Sequence, residues 1–361
     1  MLKIIIFLII LTLSLSLSLS EDKTVLIPRG SGVEGVANAL KKAHIIHSPW
    51  LFRIRVRLSG QHPVFYSGLL RVSLPANIHG ILNQLQDPSR ITYRKLTIPE
   101  GFNLVQIDNL LAEKGIITPD SFLSFCTDPT LFRPVLEKIT SLSMLINITN
   151  LEGVLFPDTY HIEYYTSIPE LVRLMLVNFA DKALPVYNHY SNNQPTIKRW
   201  QKMARKTRSG IRYQRVLVLE RVPRVSLYQA LKFASIVENE AKTTIERPII
   251  ASVYLNRVRQ KMALGSCPTV EYARVLAGLP HKEKLLFKDL EIDSPYNTYK
   301  HSGLPPTPIS NPGIASLTAV LYPARSNYLY FVSKGDGSHH FSKTAAEHML
   351  WSNKLNQQKA R

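Results

Sequence analysis

Residues 27–46 read IPRGSGVEGVANALKKAHII. An apolar run ends at Pro28, Gly30 follows, and apolar residues then recur at spacings of three and four through Val33, Val36 and Leu40. That pattern predicts a strand stopped by proline, a glycine-permitted turn and an amphipathic helix. The unit is repeated. Residues 98–117, IPEGFNLVQIDNLLAEKGII, align with it without a gap at an offset of 71. Both copies carry Ile-Pro-x-Gly, an apolar residue at Val36 or Ile107, Asn38 or Asn109, Leu40 or Leu111, and a closing Ile-Ile. A weaker cousin, LPANIHGILNQL, runs from Leu74 to Leu85. Strand–turn–helix units predict an α+β chain. A small binding module built on this unit and a chance recurrence of a common unit both remain open on the repeat alone.

The chain has 361 residues, enough for two or three domains, and its 45% hydrophobic and 19% charged content belongs to a folded protein. Forty-four Lys and Arg against 26 Asp and Glu leave a formal charge of +18. Such a balance favours nucleic acid, an anionic membrane surface or an acidic wall polymer. Cys126 and Cys267 are the only cysteines, too few for a metal site or a disulfide framework. Buried thiols are the favoured reading of both.

The first twenty residues, MLKIIIFLIILTLSLSLSLS, hold no charge from Ile4 to Ser20. As a helix this stretch spans about 25 Å, short of the roughly 30 Å hydrocarbon core. It reads as a transmembrane signal-anchor (residues 1–20), with a cleaved signal peptide ending near Ser18-Leu19-Ser20 as the alternative. Either way the remainder crosses the membrane.

Beyond about residue 120 the pattern turns to helices with polar connections. The run IKRWQKMARKTRSGIRYQR (197–215) carries eight basic residues and no acid. It reads as an inserted solvated face or loop, assigned to an anionic lipid or polymer surface; Trp200 and Tyr213 are thin support for nucleic acid. Residues 328–341, YLYFVSKGDGSHHF, predict a hairpin, and Ser342 an N-cap for a last helix to about Lys354.

LKFASIVENEAK (231–242) raises the chemical question. Ser226 and Gln229 have capping-box spacing, so a helix starts there. At about 100° per residue, Leu227, Ala230, Leu231, Ala234, Val237 and Ala241 form one stripe, and Glu238 lies inside it. Glu240 points nearly the opposite way. Desolvation favours a protonated carboxyl group, which is what a general acid in sugar cleavage requires. An ion pair to an arginine of the next helix, such as Arg257, explains the same residue without catalysis.

Several blocks together resemble the MltG/YceG-like family of endolytic murein transglycosylases. They are LTIPEG (96–101), LEGVLFPDTY (151–160), ASIVENEA (234–241), RPIIASVYLNRVRQKMALGSCPTVEYA (247–273), SPYNTYKHSGLPPTPISNPG (294–313) and YLYFVSKGDGSHHFSKTAAEH (328–348). The resemblance runs from roughly residue 25 to 350. It implies an inner-membrane single-pass anchor, a LysM-like subdomain (21–95) and an α+β catalytic domain (96–361) in the periplasm. It implies cleavage of the MurNAc–GlcNAc β-1,4 bond within glycan strands, leaving 1,6-anhydro-MurNAc ends, and a role as strand-length terminator in wall assembly. The catalytic glutamate that it implies maps onto Glu238. Most glycosidases use two carboxyl groups; a lytic transglycosylase takes its nucleophile, the C6 hydroxyl, from the substrate. No cofactor or metal is required. Glycan strands are the expected partner, peptidoglycan synthases are candidate ones, and nucleic acid is not expected.

The other blocks read as site walls: Tyr296, Asn297 and Tyr299 offer rings and amides, and Pro305 stiffens a loop. Glu152 and Asp158 are substrate-binding candidates with turn and cap roles as alternatives; Asn256, Arg257, Thr269 and His339 complete the set. Two positions depart from the family pattern. Cys267 stands where Ser-Asp-Pro-Thr is usual, and Thr307 where Pro-Pro-Gly-Pro is usual. They leave a non-catalytic wall-binding scaffold as the alternative function.

Overall fold

The computed structural model describes residues 21–60, 63–193, 196–207, 210–221, 225–282 and 285–359. The expected membrane segment, residues 1–20, lies outside them. Among the described residues no helix is long and apolar enough to cross a membrane. The architecture of the described residues is mixed α+β: four two-stranded sheets among many helices. By internal contacts the described chain divides into two units, one ending at Leu96 but also taking Thr159–Ser167, the other holding Thr97–Asp158 and Ile168 onward.

In the first unit, β1 (Glu21–Ile27) pairs antiparallel with β2 (Gly68–Leu74), from Glu21 opposite Leu74 to Ile27 opposite Gly68. Alternation buries Val25 and Ile27 on one face of the ribbon. Between the strands lie α1 (Val33–Lys42) and α2 (Pro49–Leu58), and α3 (Ile78–Leu85) follows. Phe52, Val56, Leu40, Leu70, Val72 and Leu85 fill the space between ribbon and helices. β3 (Arg94–Thr97) pairs with β4 (Thr159–Ile162), which is why the second segment returns to this unit.

The sequence repeat is a structural one. Gly30 and Gly101 both adopt positive φ, 70° and 80°, at the turn out of the strand. The helices that follow are α1 and α4 (Leu104–Glu113), and both close through the same bonds: Ile45 N–H to Leu40 O at 2.9 Å, Ile116 N–H to Leu111 O at 3.0 Å. His44 and Gly115 occupy the left-handed position at the two helix ends, φ 53° and 62°. The two copies belong to different units.

The second unit continues with α5 (Ser121–Thr127), α6 (Pro129–Leu136) and the long α7 (Ile168–Asn192). The basic run is not a loop. It forms most of a hairpin, β5 (Thr196–Thr207) with β6 (Gly210–Arg221), in register from Thr196 opposite Arg221 to Thr207 opposite Gly210. The β-branched and apolar run Val216–Leu219 supplies the strand preference that a charge count conceals.

Next come α8 (Leu227–Glu240), α9 (Arg247–Arg259), α10 (Cys267–Leu276) and α11 (Ile314–Leu321). The predicted C-terminal hairpin is present as β7 (Tyr330–Ser333) and β8 (His339–Ser342), before α12 (Ala345–Lys359). Ser342 belongs to the strand rather than capping that helix. Thr344 takes the cap instead, accepting the Glu347 N–H at 3.2 Å.

Candidate active site

The helix that carries both glutamates starts as its sequence predicts. Ser226 Oγ accepts the Gln229 N–H at 3.2 Å, and Gln229 Oε1 accepts the Ser226 N–H at 3.1 Å. From there α8 buries nearly every residue between Phe233 and Glu238. Glu238 is inside, as its place in the stripe requires, with a side chain 4% exposed. Both of its oxygens are committed. Oε1 accepts from Arg247 Nη2 at 2.6 Å, and Oε2 accepts the Gly313 N–H at 3.0 Å. Gly101 backs onto its Cγ, and the Glu100 carboxyl sits against Gly313. Burial and then the charge of Glu238 push the Glu100 carboxyl above its usual range. Glu238 is therefore held in a structural ion pair, with Arg247 at the first position of α9 and not with Arg257.

Glu240, at the C-terminal end of α8, meets a cavity instead of solvent. The cavity encloses about 620 Å³. Its walls come from α9 (Tyr254, Arg257), the loop that follows (Met262, Gly265), Cys267 and Tyr299, and beyond them Tyr330, Phe331 and His348. Glu240 is the only carboxylate among these lining residues. Its Oε1 accepts two hydroxyl bonds, from Tyr254 and from Ser266, each at 2.7 Å. Burial raises its pKa; the bonds from Ser266 and Tyr254 oppose that, as do the charges of His339 and Arg257. The outcome is an acid held above the ordinary carboxyl range in a cavity with aromatic walls.

The cavity lining is rigidly set. Arg257 donates Nε to Leu329 O at 2.6 Å and Nη1 to Leu264 O at 2.5 Å, and its guanidinium lies 5.2 Å from the Tyr330 ring. Gly265 has φ 55°, and a Cβ there would fall 3.3 Å from Arg257 Nη1 and 3.5 Å from the Tyr299 ring. Only glycine fits both the backbone and the approach. Cys267 Sγ lies 3.3 Å from Tyr299 Oη on the same wall. Its thiol is pushed up by burial and, more weakly, by the Glu240 charge. Both cysteines are free, but the buried-thiol reading holds in full for Cys126 only; Cys267 as a residue is open to solvent, with its thiol partly desolvated against Tyr299.

Of the residues expected at the site, the cavity gathers Arg257 and Tyr299. His339 stands behind it, with Nδ1 2.7 Å from Glu246 Oε2 and its N–H on Glu246 Oε1. The others serve the framework. Asn256 donates to Ser326 O and Tyr328 O, and Asn297 to Leu290 O and Ile292 O. Thr269 donates to Ser266 O, Tyr296 meets Thr307, and Pro305 is buried. Asp158 accepts from Asn178 and Lys182. Glu152 is buried against Leu104 N–H, Tyr272 and Asn311, and its pKa is raised to about 8, chiefly by desolvation. Sequence reasoning passed over Glu240, Tyr254, Ser266, Tyr330 and His348. The signal for Glu240 was its position at the last turn of the helix, where the side away from the core need not face water.

The site is thus an α+β framework that holds one elevated carboxyl group over a cavity with aromatic walls. The YceG-like family matches residues 25–354, and the chain belongs to that family. It is 33% identical over 328 residues to the endolytic murein transglycosylase of Bacillus subtilis, covering 89% of this chain and 81% of that one. It is 26% identical over 344 residues to the protein of that name from Streptococcus pneumoniae serotype 2, of which it spans 57%. A crystal structure of a yceG-like protein of Listeria monocytogenes superposes with TM-score 0.58 at 30% identity, covering 92% of this chain and 99% of that one.

Proposed function

We propose that this chain acts as an endolytic murein transglycosylase whose single acid–base group is Glu240, the role expected of Glu238. The observation that carries the assignment is the position of the two carboxyl groups. Glu238 spends both oxygens on Arg247 and Gly313, while Glu240 lines the cavity with only Oε1 anchored.

In this reading the protonated Glu240 donates to the glycosidic oxygen between MurNAc and GlcNAc as the C1–O bond breaks. The resulting carboxylate then takes the proton of the MurNAc C6 hydroxyl as that oxygen bonds to C1. A 1,6-anhydro ring closes, no water is consumed, and Glu240 ends protonated. Tyr254 and Ser266 keep Oε1 fixed through both halves and stabilise the carboxylate between them. Tyr299 and Tyr330 offer ring faces for pyranoses, and Arg257 supplies positive charge at the wall.

The strand–helix–helix–strand order of the first unit supports a LysM-like glycan-holding role for it. The uncharged stretch Ile4–Ser20 supports anchoring in the inner membrane, with the folded part in the periplasm beside peptidoglycan synthases. Protease protection of residues beyond 20 in intact spheroplasts would contradict that orientation.

The test is a muropeptide profile on purified peptidoglycan. Glu240→Gln is expected to lower release of anhydro ends by at least about a thousandfold while the protein stays folded. Glu238→Gln is expected to lower thermal stability first, by roughly 3 kcal/mol for a broken buried pair. Full activity in folded Glu240→Gln overturns the assignment. Reducing ends, about 18 Da heavier through addition of water, overturn the transglycosylase chemistry.

A further inference from the structure

Helix α2, PWLFRIRVRL, points its apolar residues in two directions. Phe52 and Val56 enter the core of the first unit. On the other side Trp50, Leu51 and Leu58 stand 59%, 51% and 77% exposed, with Ile54 between them and only partly covered. At about 100° per residue, Trp50, Ile54, Leu58 and Leu51 share one outward stripe. Arg55 borders that stripe on one flank, Arg53 and Arg57 on the other, and all three are exposed. The helix contains no acid; among the described residues Glu34 is the carboxylate paired to it, on Arg53 at 3.0 Å. Outward aliphatic residues and an indole flanked by arginines match the boundary between headgroups and acyl chains.

A groove of about 640 Å³ continues this face, lined by Ile45, Ile46, Leu51, Leu58, Ala76 and Ile78 among others. Its position is informative. Glu21, the first described residue, pairs with Leu74, so Ala76 lies just past this end of the ribbon. Lys23 reaches back to His44 O, at the loop before α2. In the sequence the uncharged stretch Ile4–Ser20 directly precedes Glu21. From Glu21 to Leu96 eleven Lys and Arg residues outnumber the four acids Glu21, Asp22, Glu34 and Asp87.

We propose that the outward face of α2, with its neighbouring groove, is a docking surface for anionic phospholipid headgroups, on which the first unit rests. The apolar stripe enters the interface, and Arg53, Arg55 and Arg57 meet the phosphates. This surface differs from the cavity around Glu240 and does not depend on the catalytic assignment.

Full-length protein with Trp200→Phe and Trp351→Phe leaves Trp50 as the sole indole. It is reconstituted in phosphatidylcholine vesicles with or without phosphatidylglycerol, some carrying brominated acyl chains. With phosphatidylglycerol, Trp50 emission is expected to shift to the blue, to be quenched by bromine and to lose most of its acrylamide quenching. Raising salt from about 0.1 M to about 1 M reverses this as the Debye length shrinks from about 10 Å to about 3 Å. Replacing Arg53, Arg55 and Arg57 by serine, with Phe52 and Val56 retained, is expected to reduce bromine quenching severalfold. Trp50 open to acrylamide in both vesicles overturns the proposal. So does equal protection in neutral vesicles, which would mean that residues 1–20 or a second copy cover the stripe. Protection by soluble glycan chains without anionic lipid overturns it in favour of a sugar site.

Discussion

At the scale of single residues, two carboxyl groups two positions apart meet opposite fates because their partners differ. An arginine and a backbone N–H saturate Glu238. Two neutral hydroxyls hold Glu240 without neutralising it, so desolvation dominates and its pKa rises. A general acid works only while protonated, so activity is expected to fall on the alkaline side as pH passes the raised pKa of Glu240. Cys267 shares the cavity wall, and its thiol feels the charge of Glu240. Cys267→Asp, which restores the residue usual in the family pattern, places a second negative charge there. That raises the Glu240 pKa further and moves the alkaline limb of the kcat/KM profile to higher pH; Cys267→Ser leaves the limb in place. A pH–rate series on the two variants decides it. No movement in Cys267→Asp would mean that this wall does not govern the acid.

At the scale of elements, α8 is set at its start by its cap and at its end by Tyr254 and Ser266, residues of neighbouring segments. Ser226→Ala removes the acceptor for the Gln229 N–H and is expected to cost about 1 kcal/mol in urea unfolding, with kcat unchanged well below the melting point. A larger effect is expected in the LEGVLFPDTY turn. Gly153 has φ 84°, and a Cβ there would lie 2.5 Å from Pro308 Cβ and Cγ, a close approach of two loops far apart in sequence. Gly153→Ala combines backbone strain with overlap against a stiff ring, and is expected to destabilise by at least about 2 kcal/mol. A loss below about 0.5 kcal/mol would show that the loops can separate freely.

At the scale of the second unit as a whole, Glu152 is the point where distant segments converge. Its carboxyl accepts from the start of α4, from Tyr272 on α10 and from Asn311 after the proline-rich loop. With a folded pKa of about 8 against an ordinary carboxyl value when unfolded, the native state binds this proton more tightly. The stabilisation is complete below the unfolded pKa and declines as pH rises toward about 8, by up to about 1.4 kcal/mol per pH unit. Glu152→Gln is expected to flatten that slope in urea melts between about pH 5 and pH 8. An unchanged slope would mean that Glu152 is ionised throughout.

Periodicity and local chemistry were sufficient for much of this protein. The doubled strand–turn–helix unit, the Ser226 cap, the C-terminal hairpin and the burial of Glu238 all follow from spacings of two, three and four residues and from glycines at positive φ. These are short-range effects, written in adjacent residues. Which glutamate meets a cavity is a different kind of fact. It depends on Arg247 starting α9 beside Glu238, on Tyr254 one helix away, and on β7 and α12 closing the far wall. A helical wheel assigns a direction to each side chain but not what waits there. That is decided only when segments a hundred residues apart pack together, because desolvation and charge act through space.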